Sequence, residues 1–97
     1  MRSKNFRVIL GEVLKEYRLE KGMTLRDVSE KSAVALGYLS EIERGQKEAS
    51  SEILENLAYG LDIPLYQIII EAGYRLADWD TPQRILDDEL DKELSGV

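Results

Sequence analysis

Apolar residues along this chain fall at helical intervals, and no alternating run suits a strand. Phe6, Ile9, Leu10, Val13, Leu14 and Tyr17 stand at i, i+3, i+4, i+7, i+8 and i+11, which lines one face of a first helix. Gly22 ends it, because glycine tolerates the left-handed C-cap conformation. Thr24, with Asp27 three residues on, opens a second helix through a capping-box-like pair, with Leu25 and Val28 on its apolar side. This helix is expected to run to about Ser32. After the short connection Ala33-Val34-Ala35, a third helix over 36–43 buries Leu39 and Ile42 and stops at Gly45. A polar loop over 46–49 leads to Ser50, the expected N-cap of a fourth helix with Ile53, Leu54, Leu57, Ala58 and Leu61 inside. Pro64 opens a fifth helix, where a missing N–H costs nothing. Thr81-Pro82 repeats the cap-then-proline signal and opens a tail helix, which leaves Ala77 to Asp80 as the one linker candidate.

Ninety-seven residues, 43% hydrophobic and 33% charged, suit one globular domain. The chain has no cysteine, hence no disulfide framework and no thiolate metal site, which fits a cytoplasmic protein. No apolar run is long enough for a membrane span. The stretch from Met1 to Phe6 is basic but leads into charged sequence, unlike a signal peptide. Lacking histidine and cysteine, the chain lacks the commonest catalytic bases, nucleophiles and metal ligands, and it has no glycine-rich phosphate loop. Asp87, Asp88 and Asp91 could in principle hold Mg²⁺, but at that spacing they read as a solvated helix face. No catalytic residue, metal site or cofactor is expected. The net charge of −6 is uneven. Residues 76–97 hold seven acids and two bases, so the remainder is close to neutral and local placement of Lys and Arg decides what it can bind.

Two short helices joined by a tight turn inside a bundle make a helix-turn-helix, the layout of residues 23–45. The run Thr24-Leu25-Arg26-Asp27-Val28-Ser29, then Val34, then Gly37-Tyr38-Leu39-Ser40-Glu41-Ile42-Glu43-Arg44-Gly45, resembles the Xre/Cro/C1 repressor-type family over roughly residues 8–64. Leu25-Arg26-Asp27-Val28-Ser29, with Leu36-Gly37-Tyr38-Leu39-Ser40-Glu41 and Glu43 through Glu52, resembles more narrowly the Clp-gene regulators, activators of ATP-dependent protease genes in actinobacteria. The implied fold is all-α: a five-helix Cro/C1-type helix-turn-helix DNA-binding domain, residues 1–63, with residues 64–97 adding a C-terminal amphipathic helix and dimerisation. The resemblance also implies a structural ion pair between Arg18 and Glu43. Three positions depart from the family pattern: Ala35 replaces the Ser or Thr cap of the recognition helix, Leu25 replaces a glutamine, and Ser51 replaces an apolar residue.

A recognition helix must show small or polar side chains to the bases. Leu36, Gly37, Ser40 and Glu41 lie opposite Leu39 and Ile42. Gly37 permits close approach, Ser40 can bond base edges, Glu41 can accept from a cytosine amino group, and Leu36 can touch a thymine methyl or a sugar. Arg26 can reach a phosphate or a guanine edge, or be an ordinary exposed charge. Thr24, Tyr38, Arg44, Gln46 and Lys47 are candidate phosphate contacts. Tyr38 alternatively packs on the core with its hydroxyl at the rim, and Gln46 and Lys47 read equally as solubilising loop residues.

Leu65, Ile68, Ile69 and Ala72 form one stripe of the fifth helix, and Tyr66, Ile70 and Tyr74 a second. The tail adds Trp79, Ile85, Leu86, Leu90 and Leu94. The expectation is a homodimer through Tyr66, Ile69, Ile70, Tyr74, Trp79, Leu86 and Leu90 that places two recognition helices on a palindromic double-stranded operator. The alternative is that the tail folds back over the second stripe. Asp27 and Glu30 are exposed acids that could touch RNA polymerase. A repressor of the same fold, or an antitoxin-like protein-interaction module, would use the same scaffold.

Overall fold

In the computed structural model, which describes residues 5–80, the chain forms five α-helices and, among those residues, no strand. They are α1 (Phe6–Glu20), α2 (Leu25–Ser32), α3 (Leu36–Glu43), α4 (Ser51–Leu61) and α5 (Leu65–Asp80). Side chains set most of the starts. The Asn5 carboxamide accepts from the Val8 N–H at 3.0 Å, and the Ser50 hydroxyl accepts from the Ile53 N–H at 3.2 Å. Each satisfies an N–H that the first turn leaves without an intrahelical partner. Gly22 and Gly45 take positive φ at two of the chain reversals. Two other reversals use residues with a Cβ: Ala33 (φ 60°) between α2 and α3, and Asp62 (φ 58°) after α4.

The core lies where α1 crosses α3 and α5 while α2 packs on α4. Ile9, Leu10, Val13 and Leu14 are buried as the spacing predicts, whereas Phe6 is exposed and Tyr17 half-buried. Leu39 and Ile42 of α3 are buried, as are Leu54, Leu57, Ala58 and Leu61 of α4. Ile68 and Ala72 bring α5 into the same core, so the described part of the chain beyond residue 63 shares one interior with what precedes it.

Two expectations are corrected here. The segment from Ala77 to Asp80 is not a linker but the last turn of α5, since it holds no glycine or proline to stop the helix. Ile69 does not join the inner stripe. Ile68 and Ala72 face inward with Leu65 and Leu76 half-buried beside them, and the 100° turn per residue leaves Ile69 43% exposed on the rim of the outer stripe. The tail helix expected from Thr81-Pro82 onward lies outside the described residues.

Two features seat α3 on α1. A Cβ on Gly11 would collide with the Ile42 carbonyl oxygen and come within 2.7 Å of that of Glu43, so only glycine permits this approach. Two turns further along, the α1 face reaches Arg18, whose guanidinium grips Glu43 through both oxygens, at 2.7 Å from Nε and 3.1 Å from Nη2. Its Nη1 donates to the Met23 carbonyl at 2.9 Å. Both residues are buried, at 9% exposure, and their bonds join α1 to α3. Arg75 joins α5 to α1 in the same manner but nearer the surface, reaching both Glu16 oxygens at 2.7 and 3.0 Å and Glu71 at 2.9 Å.

Removing one partner of a buried, hydrogen-bonded pair leaves an uncompensated charge, so Arg18→Ala is expected to cost about 3–5 kcal/mol in chemical denaturation. Arg18→Met combined with Glu43→Leu, which strands no charge, should cost less than Arg18→Ala. Gly11→Ala must push α3 off its seat and should cost about 2 kcal/mol, a loss that calorimetry would read as a clear drop in Tm.

Candidate nucleic-acid interface

The surface begins at Thr24. Its hydroxyl oxygen accepts from the Asp27 N–H at 3.0 Å while the Asp27 carboxylate accepts from the Thr24 N–H at 2.9 Å, a reciprocal capping box. The Thr24 hydroxyl proton stays available to a phosphate oxygen, because the cap uses that oxygen only as an acceptor. Arg26 follows in the first turn of α2 and is exposed. The Asp27 carboxyl is held below its ordinary value by its bonds to Thr24, backbone first and hydroxyl second, with Lys31 adding to the effect. Asp27 is therefore engaged at the cap, and Glu30 is the exposed acid of α2 not tied to that box.

The turn between α2 and α3 is tied by side chains as well as backbone. Ser29 Oγ donates to the Val34 carbonyl at 2.6 Å, and the Val34 N–H donates to Ser32 Oγ at 3.3 Å. Val34 is buried and pins the turn to the core. At the start of α3, Ala35 supplies no side-chain cap, so the first N–H groups of the helix are not occupied by a capping oxygen. Gly37 is exposed, and a Cβ added there would meet nothing within 4 Å. Leu36, Ser40 and Glu41 are half-buried on the same helix, while Leu39 and Ile42 face inward.

Tyr38 packs on the core with its hydroxyl at the rim, the alternative that its sequence position offers. It is half-buried against the core, and its hydroxyl donates to the Glu48 carbonyl at 2.8 Å, tying the loop after α3 back onto the helix. Its lone pairs remain, but the proton that a phosphate would want is already placed. Arg44 closes α3 as its C-cap, with Nε donating to the Ser40 carbonyl at 3.3 Å, a position that suits the negative end of the helix dipole. Gln46 and Lys47 are exposed on the loop. Thr24, Arg26, Leu36, Gly37, Tyr38, Ser40, Glu41, Arg44, Gln46 and Lys47 thus fall on the start of α2, on α3 and on the loop that follows, one continuous stretch of structure. The bonds that Ser29 and Glu48 make to shape that stretch, and the positive φ of Ala33, are not foreseen from the sequence.

On α5, Tyr66 (66% exposed), Ile70 and Tyr74 (69% exposed) form an outward apolar stripe with Ile69 at its edge. Trp79 belongs to α5, while Leu86 and Leu90 lie outside the described residues.

Comparison with known proteins adds a lineage to this geometry. A helix-turn-helix family model matches residues 14–68. The chain is 51% identical over 71 residues to the transcriptional regulator ClgR of Mycobacterium tuberculosis, an alignment covering 73% of this chain and 63% of that protein. The chain therefore spans just under two thirds of that relative's length. Among solved structures, the clp gene regulator ClgR from Corynebacterium glutamicum superposes with a TM-score of 0.72 at 37% identity, over 94% of this chain and 92% of its own. The restriction-modification controller protein C.AhdI from Aeromonas hydrophila superposes with a TM-score of 0.61 at 31% identity, over 63% of this chain and 92% of its own.

The capping box makes a pH prediction with a definite sign. A carboxyl whose folded pKa is depressed stabilises the fold above its unfolded pKa and loses that contribution as pH falls through the folded value. In an NMR titration the Asp27 carboxyl should show a midpoint below 3.8, and Thr24→Ala should raise it. The same variant should cost about 1 kcal/mol at neutral pH through loss of the N-cap.

Proposed function

The chain belongs to the Xre/Cro/C1-type helix-turn-helix family, and from that premise we propose that it is a sequence-specific, double-stranded DNA-binding transcription regulator. The observation that carries this reading is the face of α3 around Gly37. A Cβ at Gly37 would meet nothing within 4 Å, the helix is capless at its N-terminus, and its flanking elements carry Arg26, Arg44 and Lys47 as exposed cations. A helix of this kind brings its backbone close to base edges, with Ser40 and Glu41 as the polar readers and Leu36 as an apolar one. Arg26, Thr24, Arg44, Gln46 and Lys47 hold the flanking phosphates.

The finer reading is a homodimer on a palindromic operator in the regulatory region of Clp protease genes, acting as an activator. The exposed stripe Tyr66, Ile70 and Tyr74 supports the dimer, because an apolar stripe left facing water usually marks an interface. The likeness to the regulators of M. tuberculosis and C. glutamicum supports the target genes, the second of these being described as a clp gene regulator. Activation requires a surface for RNA polymerase, for which Glu30 on α2 is the better placed acid, since Asp27 is committed to its cap. Among the described residues no helix is long and apolar enough to cross a membrane, and the reading places the protein in the cytoplasm with DNA.

Selection of bound duplexes from a random library should return an inverted repeat with half-site centres about one helical turn, roughly 34 Å, apart. Sedimentation should give twice the 11.1 kDa chain mass at micromolar concentration. Failure to enrich any duplex would sink the DNA-binding reading, and enrichment of single half-sites by a monomer would sink the dimer. Gly37→Ala separates stability from binding: it should leave the fold unharmed or about 0.5 kcal/mol more stable, while weakening operator affinity by roughly tenfold through the methyl pushed toward the bases.

A further inference from the structure

Beside the recognition helix lies a cleft of about 420 Å³, between the start of α1 and the loop after α3. Phe6, Leu10 and Ile42 give it apolar walls, and Arg7, Lys47 and Glu48 supply its charge. None of Arg7, Phe6 or Glu48 belongs to the helix-turn-helix itself.

Arg7 is held poorly by the protein's own groups. Its Nε is buried and has no hydrogen-bond partner. Nη1 stands 3.7 Å from a Glu48 carboxylate oxygen, beyond hydrogen-bonding distance. The Glu48 side chain is 81% exposed and that of Arg7 40% exposed, so this contact is a loose, solvent-screened one. Buried guanidinium donors are ordinarily paired, and an orphaned one at the lip of a cleft indicates an acceptor that arrives from outside. The place of the cleft indicates which acceptor. Tyr38 of α3 donates to the Glu48 carbonyl, which fixes this loop against the recognition helix, and Lys47 precedes it. In the DNA-binding reading above, in which Lys47 holds a phosphate, a duplex seated on α3 would pass one of its strands along this edge.

We propose that the cleft takes a backbone phosphate of the DNA duplex, held by Arg7 and Lys47, with Glu48 standing in for that phosphate when DNA is absent. The proposal rests on the DNA-binding reading above and adds to it a grip contributed by α1. A guanidinium presents a planar fork of donors that matches two phosphate oxygens, and the apolar walls strengthen that contact by excluding water. Glu48 must swing aside for the phosphate to enter, which its exposure allows. Its carboxylate therefore taxes every duplex equally, whatever the sequence. The contact sets register and contributes to salt dependence without reading bases.

The test is the salt dependence of duplex binding by the full chain, followed by fluorescence anisotropy on the selected operator and on a scrambled duplex. Arg7→Gln should weaken both duplexes by a similar factor, about tenfold at low salt, and lower the slope of log K against log salt by about one per protomer. Glu48→Gln should tighten both about threefold. Thermal melts establish that each variant is folded. Wild-type slope and affinity in a folded Arg7→Gln overturn the proposal while leaving the DNA-binding reading intact, whereas a wild-type protein that binds no duplex overturns both. Inorganic phosphate that raises the Tm of the wild type but not of Arg7→Gln, with the duplex slope unchanged between them, would assign the cleft to a free anion and likewise overturn it.

Discussion

Gly11 and Arg18 lie seven residues apart on one face of α1, and together they hold α3 in place. Seven residues make two turns, so the missing Cβ and the guanidinium address successive points along the same contact. Gly11 lets the carbonyls of Ile42 and Glu43 come against the α1 backbone, and Arg18 then binds the side chain of that same Glu43. Its remaining bond to the Met23 carbonyl reaches the turn that leads into α2. One side chain thus fixes the end of α3 and the approach to α2, the two elements whose relative placement the motif needs. An apolar contact of equal area could hold the helices as strongly, because burying two charges consumes much of what their attraction returns. What the ion pair adds is direction: a fork of two bonds at 2.7 and 3.1 Å permits one rotation of α3 about its axis, and that rotation decides whether Gly37 and Ser40 face outward.

The helices were legible in the sequence where local chemistry and burial agree. Thr24 and Ser50 both make the cap bonds expected of them, and the apolar spacing of α1 through α4 picks out most of the buried residues, although Phe6 is exposed and Tyr17, Leu25 and Ile53 are only half-buried. Legibility failed where a tertiary contact overrode a local signal. Ala33 turns the chain at φ 60°, a conformation that sequence reasoning assigns to glycine, because the Ser29 and Ser32 hydroxyls and buried Val34 hold the turn from both sides. Residues 77–80 look like a break because two aspartates interrupt the apolar pattern, yet α5 is anchored one turn earlier by Arg75 on Glu16 and continues through them. The interface residues could be listed from the motif, but their bonding could not. Whether a tyrosine hydroxyl is free or donating to a carbonyl ten residues away depends on the path of a loop that has no periodicity to read.

A chain of net charge −6 that is to bind a polyanion, as proposed, must rely on a few well-placed cations. Arg26, Arg44 and Lys47 surround α3, and most of the acidic excess falls in residues 76–97, beyond the helix-turn-helix in sequence. Few phosphate contacts mean a shallow salt slope and weak attachment to arbitrary DNA. Under these conditions each added cation, the proposed Arg7 contact included, would be a large fraction of the total. In the proposed dimer, discrimination would rest on base contacts and on the geometry of two linked half-sites more than on charge.

That geometry traces back to the core. Ile68 and Ala72 of α5 are fully buried with the residues of α1 through α4, so α5 is a wall of the helix-turn-helix unit and not an arm attached to it. Arg75 links α5 to α1 and Arg18 links α1 to α3, two ion pairs of guanidinium and carboxylate in series. A second copy docked on Tyr66, Ile70 and Tyr74 would therefore set the separation of the two recognition helices through packed elements, with no flexible segment between the dimer contact and the groove. The spacing of half-sites becomes a property of how α5 lies on α1. A change at that packing, far from any base, would alter which operators fit before it altered how tightly a single half-site is held.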